Sequence, residues 1–171
     1  MKAILQGCKS KKKHICMAWR DYQKAFDSVP HSWIITYLEL NGINDKIISF
    51  LKKAMIYWKT SICLHSEGKI LGTEDLEILR GIFQGDSLSA LLFCTSLIPF
   101  TEQLNKLNTG YEEHTTKTKI SHLQHMDDLK LIGKTEKELQ KQMQVVRTFS
   151  DDIQWNLDLT CVQRLYSREE N

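Results

Sequence analysis

The stretch "SHLQHMDDLKLIG", residues 121–133, decides how this chain folds. "KISHLQH" (119–125) leads into Asp127 and Asp128, and "LKLIG" (129–133) leads out of them, the pattern of a β-hairpin whose turn carries two carboxylates. Adjacent carboxylates repel and resist desolvation, so they sit together only in water or beside a cation. A solvated Asp-rich turn is the ordinary account, and a divalent-metal site is the chemical one. The pair alone leaves both open.

Working outward, "HICMAW" (14–19) reads as a short buried strand that ends against Asp21. Laid beside the hairpin, it would bring Asp21, Asp127 and Asp128 to one edge of a sheet. Between these segments, "HSWIITYLEL" (31–40) has helical spacing and stops at Asn41-Gly42. Asn44 then caps a second helix with Ile47, Ile48, Leu51, Met55 and Trp58 on its apolar flank. Residues 60–65 and 76–79 are strand candidates, with "SEGKILG" (66–72) as the turn between them. In "RGIFQGDS" (80–87), Gly81 and Gly85 permit a close backbone approach of the kind a base pair requires. Helical spacing returns from Ser87 to about Leu107. Thr135 and Glu138 form a capping box ahead of Leu139, Met143, Val146, Phe149 and Ile153. A polar tail, 162–171, is expected to lose order. The order of elements predicts an α+β fold in which helices cover one face of a small antiparallel sheet.

Composition sets the bounds. At 171 residues, 42% apolar and 26% charged, the chain is long enough for one domain with a real core and unlike a disordered segment. A net charge of +2 neither demands nor excludes nucleic acid, and the runs "KSKKKH" (9–14) and Lys117 with Lys119 read first as solvated surface. Five cysteines without Cys-x-x-Cys spacing argue against a thiol redox or structural zinc site and fit a reducing compartment. The longest mostly apolar segment, "LSALLFCTSLIPF" (88–100), is shorter than the ~20 residues that span a bilayer. The expectation is an intracellular chain, nuclear or cytoplasmic, with no membrane partner.

"RDYQKAFDSVPH" (20–31) sharpens the chemistry, because Phe26 lies five positions after Asp21. If Asp21 grips a metal on an incoming nucleotide, that ring would sit under the sugar and collide with a 2′-hydroxyl. The plainer reading packs Phe26 in the core and spends Asp27 on the turn before Pro30. Taken together, "AWRDYQKAFDSVPHSWI" (18–34), "RGIFQGDSLSALLFC" (80–94) and "SHLQHMDDLKLIGK" (121–134) resemble, in order and spacing, the three central palm motifs of reverse transcriptases of the non-long-terminal-repeat retrotransposon type. The resemblance extends from Lys12 to Cys161.

That resemblance implies a partial right-hand polymerase palm over 12–161, fingers and thumb largely missing, between a basic segment (1–11) and the polar tail. It implies RNA-directed DNA synthesis on a primer, with an RNA template, a DNA primer and deoxynucleotide triphosphates as partners and two Mg2+ ions as cofactor, Mn2+ substituting. Asp21 would be the first metal-binding carboxylate and Asp127 the second, with Asp128 in the same cluster. Phe26 would select deoxynucleotides, and Gln84 and Gly85 would lie by the templating pair and the nucleotide. Arg80 and Lys24 would approach phosphate, or equally be surface charge. Several departures qualify the expected activity. Gln124 and His125 replace apolar and aromatic residues and are expected to weaken the strand that aims the carboxylates. Ala90 replaces a proline, at little cost to a helix. "WNLDLTC" (155–161) offers Asn156 for glycine and no lysine to protonate the leaving group. Little extension is expected from so short a chain by itself. A non-catalytic palm-fold remnant that binds RNA or a protein partner is the alternative.

Overall fold

The structure, a computed structural model, describes residues 2–10, 14–66, 68–113, 117–155 and 157–165; for Ala3, Asp21 and 157–165 it describes the backbone alone. In chain order the elements are α1 (Lys2–Ser10), β1 (Ile15–Tyr22), a 3-10 turn (Phe26–Ser28), α2 (His31–Leu40), α3 (Asp45–Ile56), β2 (Lys59–Thr60), β3 (Cys63–Ser66), β4 (Lys69–Gly72), β5 (Leu76–Glu77), α4 (Ser87–Lys106), β6 (Tyr111–Glu112), β7 (Lys119–Ile120), β8 (His122–His125), β9 (Asp128–Gly133), α5 (Glu136–Ile153) and β10 (Leu157–Leu165). The chain forms two compact units, Met1–Ala25 with Leu97–Asn171, and Phe26–Ser96. This is a mixed α/β fold of small antiparallel sheets backed by helices.

The first unit is built on a four-stranded antiparallel sheet of order β10-β1-β9-β8. Antiparallel partners share a face, so Ala18 opposite Leu131 and Arg20 opposite Leu129 point the same way. That face meets α5, whose Phe149 tilts against Phe100 at 5.1 Å and stands edge-on to Trp155 at 6.1 Å, while Trp155 meets Tyr22 at 4.8 Å. The opposite face, with Ile15, Met17 and Ile132, packs against Ile4 and Cys8 of α1. Residues 2–10 of the basic N-terminal segment therefore form an amphipathic helix on the second face of the sheet, where the sequence suggested helices on one face only. Strand β1 runs on through Asp21 to Tyr22, and residues 162–165 of the expected tail lie in β10 beside β1; residues 166–171 lie outside the described residues.

Helix α5 starts as its capping box predicts, with Thr135 Oγ1 accepting from Glu138 N at 3.3 Å. The return bond differs. Glu138 Oε2 accepts from Lys134 N at 2.9 Å and Gly110 N at 3.2 Å, so one carboxylate ties the end of β9 to the turn after α4. Of the predicted stripe, Leu139, Val146, Phe149 and Ile153 are buried, joined by Gln142, whose amide donates to Thr109 Oγ1 at 2.9 Å and to the Ile132 carbonyl at 2.8 Å.

In the second unit α2 and α3 pack on each other. Asn41-Gly42 ends α2 in a Schellman motif: Gly42 at φ +66° donates to Glu39 O and Ile43 N donates to Leu38 O, both at 3.1 Å. Asn44 caps α3 through its bond from Lys46 N at 2.9 Å. Ile48, Leu51 and Met55 face the core, whereas Ile47 is 53% exposed and Trp58 lies beyond the helix. The region read as two strands and a turn is two hairpin-like pairs, β2 with β5 and β3 with β4; "SEGKILG" thus supplies a whole strand, and both β3 and β4 are exposed along their length.

Candidate functional site

The hairpin of "SHLQHMDDLKLIG" forms with His125 opposite Asp128, leaving Met126 and Asp127 as its two-residue turn. Only one of the two carboxylates is therefore on the turn; Asp128 begins β9. Met126 takes the left-handed conformation at φ +51°, unusual for a residue other than glycine and typical of a backbone constrained at a tight turn. Asp127 is half-buried and Asp128 exposed, and among the described residues neither carboxylate has a hydrogen-bond or ion-pair partner. The ladder of β1 with β9 ends at Arg20 opposite Leu129. Asp21 follows Arg20 and Asp128 precedes Leu129, so the backbone brings the three acidic positions to one end of the two strands, as the sequence reading required. The Asp21 side chain lies outside the described residues.

Ionised carboxylates are acceptor-only, hard oxygen ligands; among the described residues no cation is paired with Asp127 or Asp128, and such ligands fit a hard divalent ion. Among the described residues, no three His, Cys, Asp or Glu side chains stand close enough together to hold a metal; Asp21 is outside that set.

Gln124 does not loosen its strand. It is half-buried, accepts from Thr101 Oγ1 at 3.4 Å and donates to the Met126 carbonyl at 3.3 Å, bracing the turn from α4. All four residues of β8 pair with β9, including His125, which is exposed. A polar residue on this strand is matched by polar partners, so its cost in packing is offset by hydrogen bonds to the turn that holds Asp127.

Arg20, which the sequence reading passed over, is buried at 5% exposure with its Nε unpartnered among the described residues. Burial lowers its pKa, the Tyr22 phenol opposes that shift, and Arg147 adds to it. Burial also pushes the Tyr22 phenol up to about 12, and the Arg20 charge limits the rise; among the described residues the phenol oxygen has no hydrogen-bond partner, the Ser150 hydroxyl donating to Val146 O at 2.7 Å instead. The signal was in the sequence: one arginine inside an apolar strand. Lys24 is exposed at φ +47°.

In the second unit, Phe26 stacks on the buried ring of Phe93 with centroids 4.5 Å apart and planes 5° from parallel. It is half-buried, a rigid wall rather than a free side chain. The "RGIFQG" loop is tied to the turn that follows Phe26: Gly81 N donates to Val29 O at 2.8 Å, Ile82 N to Phe26 O at 2.9 Å, and Arg80 bridges Pro30. Gly81 sits at φ +96°, and a Cβ there would lie 2.8 Å from the Asp27 carbonyl, so glycine is required. His31 Nε2 contacts Gly81 O at 2.7 Å and fixes the same turn. Gln84 and Gly85 are exposed, with open space beside Gly85. Asp86 is spent as the cap of α4, accepting from Leu88 N and Ser89 Oγ at 3.3 Å each. The candidate residues thus fall in two groups. Asp21, Lys24, Asp127 and Asp128 belong to the first unit, and Phe26, Arg80, Gln84 and Gly85 to the second.

Residues 1–163 match the family model described as reverse transcriptase (RNA-dependent DNA polymerase). The chain belongs to this family. Its relatives include the retrovirus-related Pol polyprotein from type-1 retrotransposable element R2 of Popillia japonica, 32% identical over 112 residues, which are 66% of this chain and 18% of that protein. The corresponding R2 polyprotein of Bradysia coprophila is 29% identical over 133 residues, 78% of this chain and 14% of that protein. The chain therefore spans less than a fifth of the length of these relatives. In fold this reverse transcriptase domain is similar to apo telomerase from Candida tropicalis truncated from the C-terminal domain, with a TM-score of 0.64 at 15% identity over 99% of this chain and 35% of that one. It is also similar to telomerase from Candida albicans in complex with a TWJ fragment of telomeric RNA, with a TM-score of 0.56 at 8% identity over 99% of this chain and 30% of that one. The sheet carrying positions 21, 127 and 128 belongs to a partial reverse transcriptase palm related to that of non-long-terminal-repeat retrotransposons and similar in fold to telomerase.

Proposed function

We propose that this chain is the palm of an RNA-directed DNA polymerase of a retrotransposon, adding deoxynucleotides to a primer 3′-hydroxyl on an RNA template. The 3′-oxygen attacks the α-phosphorus of the incoming triphosphate, and the bond to pyrophosphate breaks. The observation that carries the reading is the register that brings positions 21, 127 and 128 to one end of two paired strands. Asp21 and Asp127, with Asp128 beside them, would hold two Mg2+ ions, or Mn2+ in their place, which would supply Lewis-acid activation of the 3′-hydroxyl and charge stabilisation of the leaving pyrophosphate. Phe26, immobilised on Phe93, would bar a 2′-hydroxyl by bulk, and Gln84 with Gly85 would offer polar and open backbone surface to the nascent pair. Arg80 and Lys24 supply positive charge for phosphate. Extension by this chain alone is expected to be slow, since no lysine stands at 155–161 as general acid.

The test is magnesium-coupled binding of a deoxynucleotide triphosphate, followed by calorimetry. Wild-type chain is expected to bind nucleotide more tightly with Mg2+ than without it, and Asp127→Asn to lose that coupling together with any primer extension. Identical nucleotide affinity with and without Mg2+, alongside undiminished RNA binding in Asp127→Asn, would sink the polymerase reading in favour of a non-catalytic RNA-binding palm.

A further inference from the structure

The second unit contains a cavity of about 360 Å3 whose walls include Asp27, Ile78, Arg80, Gly81, Phe83 and Gln84. Its size is that of a small-ligand cleft, and its walls combine an aromatic ring with a carboxylate and a guanidinium. Phe83 is 44% exposed although it lies between two well-fixed neighbours, Ile82 and the loop glycines. Its ring is held by Trp58, edge-on at 5.0 Å and 66°, and Trp58 is held by His31 at 5.1 Å and 82°. His31 in turn contacts the Gly81 carbonyl. An exposed aromatic ring that is immobilised from behind has already lost the rotamer freedom that stacking would cost it.

The chemistry around the ring is equally specific. Among the described residues, the Asp27 carboxylate is exposed and has no hydrogen-bond or ion-pair partner. It can only accept, so it suits an amine edge rather than a carbonyl edge. Arg80, half-buried on the same wall, brings positive charge for a phosphate. A flat ring, an acceptor and a cation around one cavity match a nucleotide: base on the ring, exocyclic amine to the carboxylate, phosphate to the guanidinium.

We propose that Phe83 is a stacking platform for one unpaired nucleobase of a single-stranded RNA, and that Asp27 makes the cavity prefer amine-bearing bases, adenine, cytosine and guanine, over uracil. This assignment rests on the polymerase reading for its nucleic-acid partner and goes beyond it in naming the stacking residue and the base preference. The cavity uses neither the acidic positions nor a metal.

The experiment uses the 171-residue chain and single-stranded oligoribonucleotides carrying one 2-aminopurine, whose fluorescence falls on stacking. Wild-type chain is expected to quench the probe. Phe83→Leu, which keeps apolar contact with Trp58 but removes the aromatic face, is expected to abolish quenching and weaken binding about tenfold, whereas Phe83→Tyr keeps both. Asp27→Asn, able to donate as well as accept, is expected to narrow the preference for oligo(A) and oligo(C) over oligo(U). Unchanged quenching in Phe83→Leu overturns the platform, and equal affinity of wild-type chain for oligo(U) and oligo(A) overturns the role of Asp27. Magnesium-coupled nucleotide binding by the same preparation scores the polymerase reading separately. Failure to bind any oligonucleotide overturns both the platform and the role of Asp27.

Discussion

Two hairpins in this chain have the same local structure and opposite surroundings. In β8–β9, Leu129, Leu131, Ile132 and Gly133 are buried, and the turn is braced by Gln124. In β3–β4 every residue is exposed, with Leu64, Ile70 and Leu71 each more than 60% open to solvent. Register in a hairpin is fixed strongly only where one face is buried, because a slip by one residue would turn the apolar set outward. The hairpin that carries Asp127 and Asp128 is therefore locked in position by its packing, and the other is held by its ladder and by the Ile62–Thr73 bonds at its base. An isolated two-stranded hairpin is marginal in water, so β3–β4 contributes little to the stability of its unit.

The contrast is broken most directly by truncating one leucine in each hairpin. Leu131→Ala, at a fully buried site on β9, is expected to lower unfolding free energy by about 3 kcal/mol, and Leu71→Ala on β4 by no more than about 0.5 kcal/mol, both read by urea titration. Equal losses at the two sites would show that the exposed hairpin is as tightly held as the buried one.

A smaller effect isolates the brace. Gln124→Ala removes both bonds to Thr101 and Met126 and is expected to cost about 1 kcal/mol, with faster amide exchange at Met126 and Asp127. Unaltered exchange there would mean that the ladder alone holds the turn.

The smallest effect is a pH dependence confined to the same hairpin. Burial lowers the pKa of His122, whose Nδ1 lies 2.8 Å from Ser121 Oγ. With the folded value below the unfolded one near 6.5, the unfolded chain binds more protons in that window. Stability is thus fully present above about pH 6.5 and declines as pH falls toward the folded pKa. His122→Asn should flatten the Tm profile between about pH 7.5 and about pH 5.5. A profile as steep in His122→Asn as in the wild-type chain would show that burial of this ring is not what couples the hairpin to pH.

How much of this was legible beforehand varies with the range of the interactions involved. Helices α2, α3 and α5 were readable because their caps are local: Asn41-Gly42, Asn44 and Thr135 with Glu138 each act within one turn of chain. The carboxylate hairpin was readable because a turn between two runs also acts at short range. Strand β4 was missed because "KILG" has no buried face to impose an alternating pattern. Helix α1 was missed because the segment is short and its apolar side, Ile4 and Cys8 with Leu5 partly buried beside them, takes its meaning only from the sheet it meets. The effect of Gln124 was misjudged because its partners, Thr101 and the Met126 carbonyl, come from outside its strand or from the folded turn.

The sequence by itself determined the family, through three motifs in fixed order, and with it the residue types at positions 21, 26, 84, 85, 127 and 128. It also determined most helix boundaries, since capping and hydrophobic period are properties of neighbouring residues. Only the tertiary structure decided that positions 21 and 128 flank the end of one strand ladder, that Phe26 is immobilised on Phe93, and that Phe83, Asp27 and Arg80 surround one cavity. These relations join residues far apart in the chain. They are set by register and packing, which no window of sequence contains.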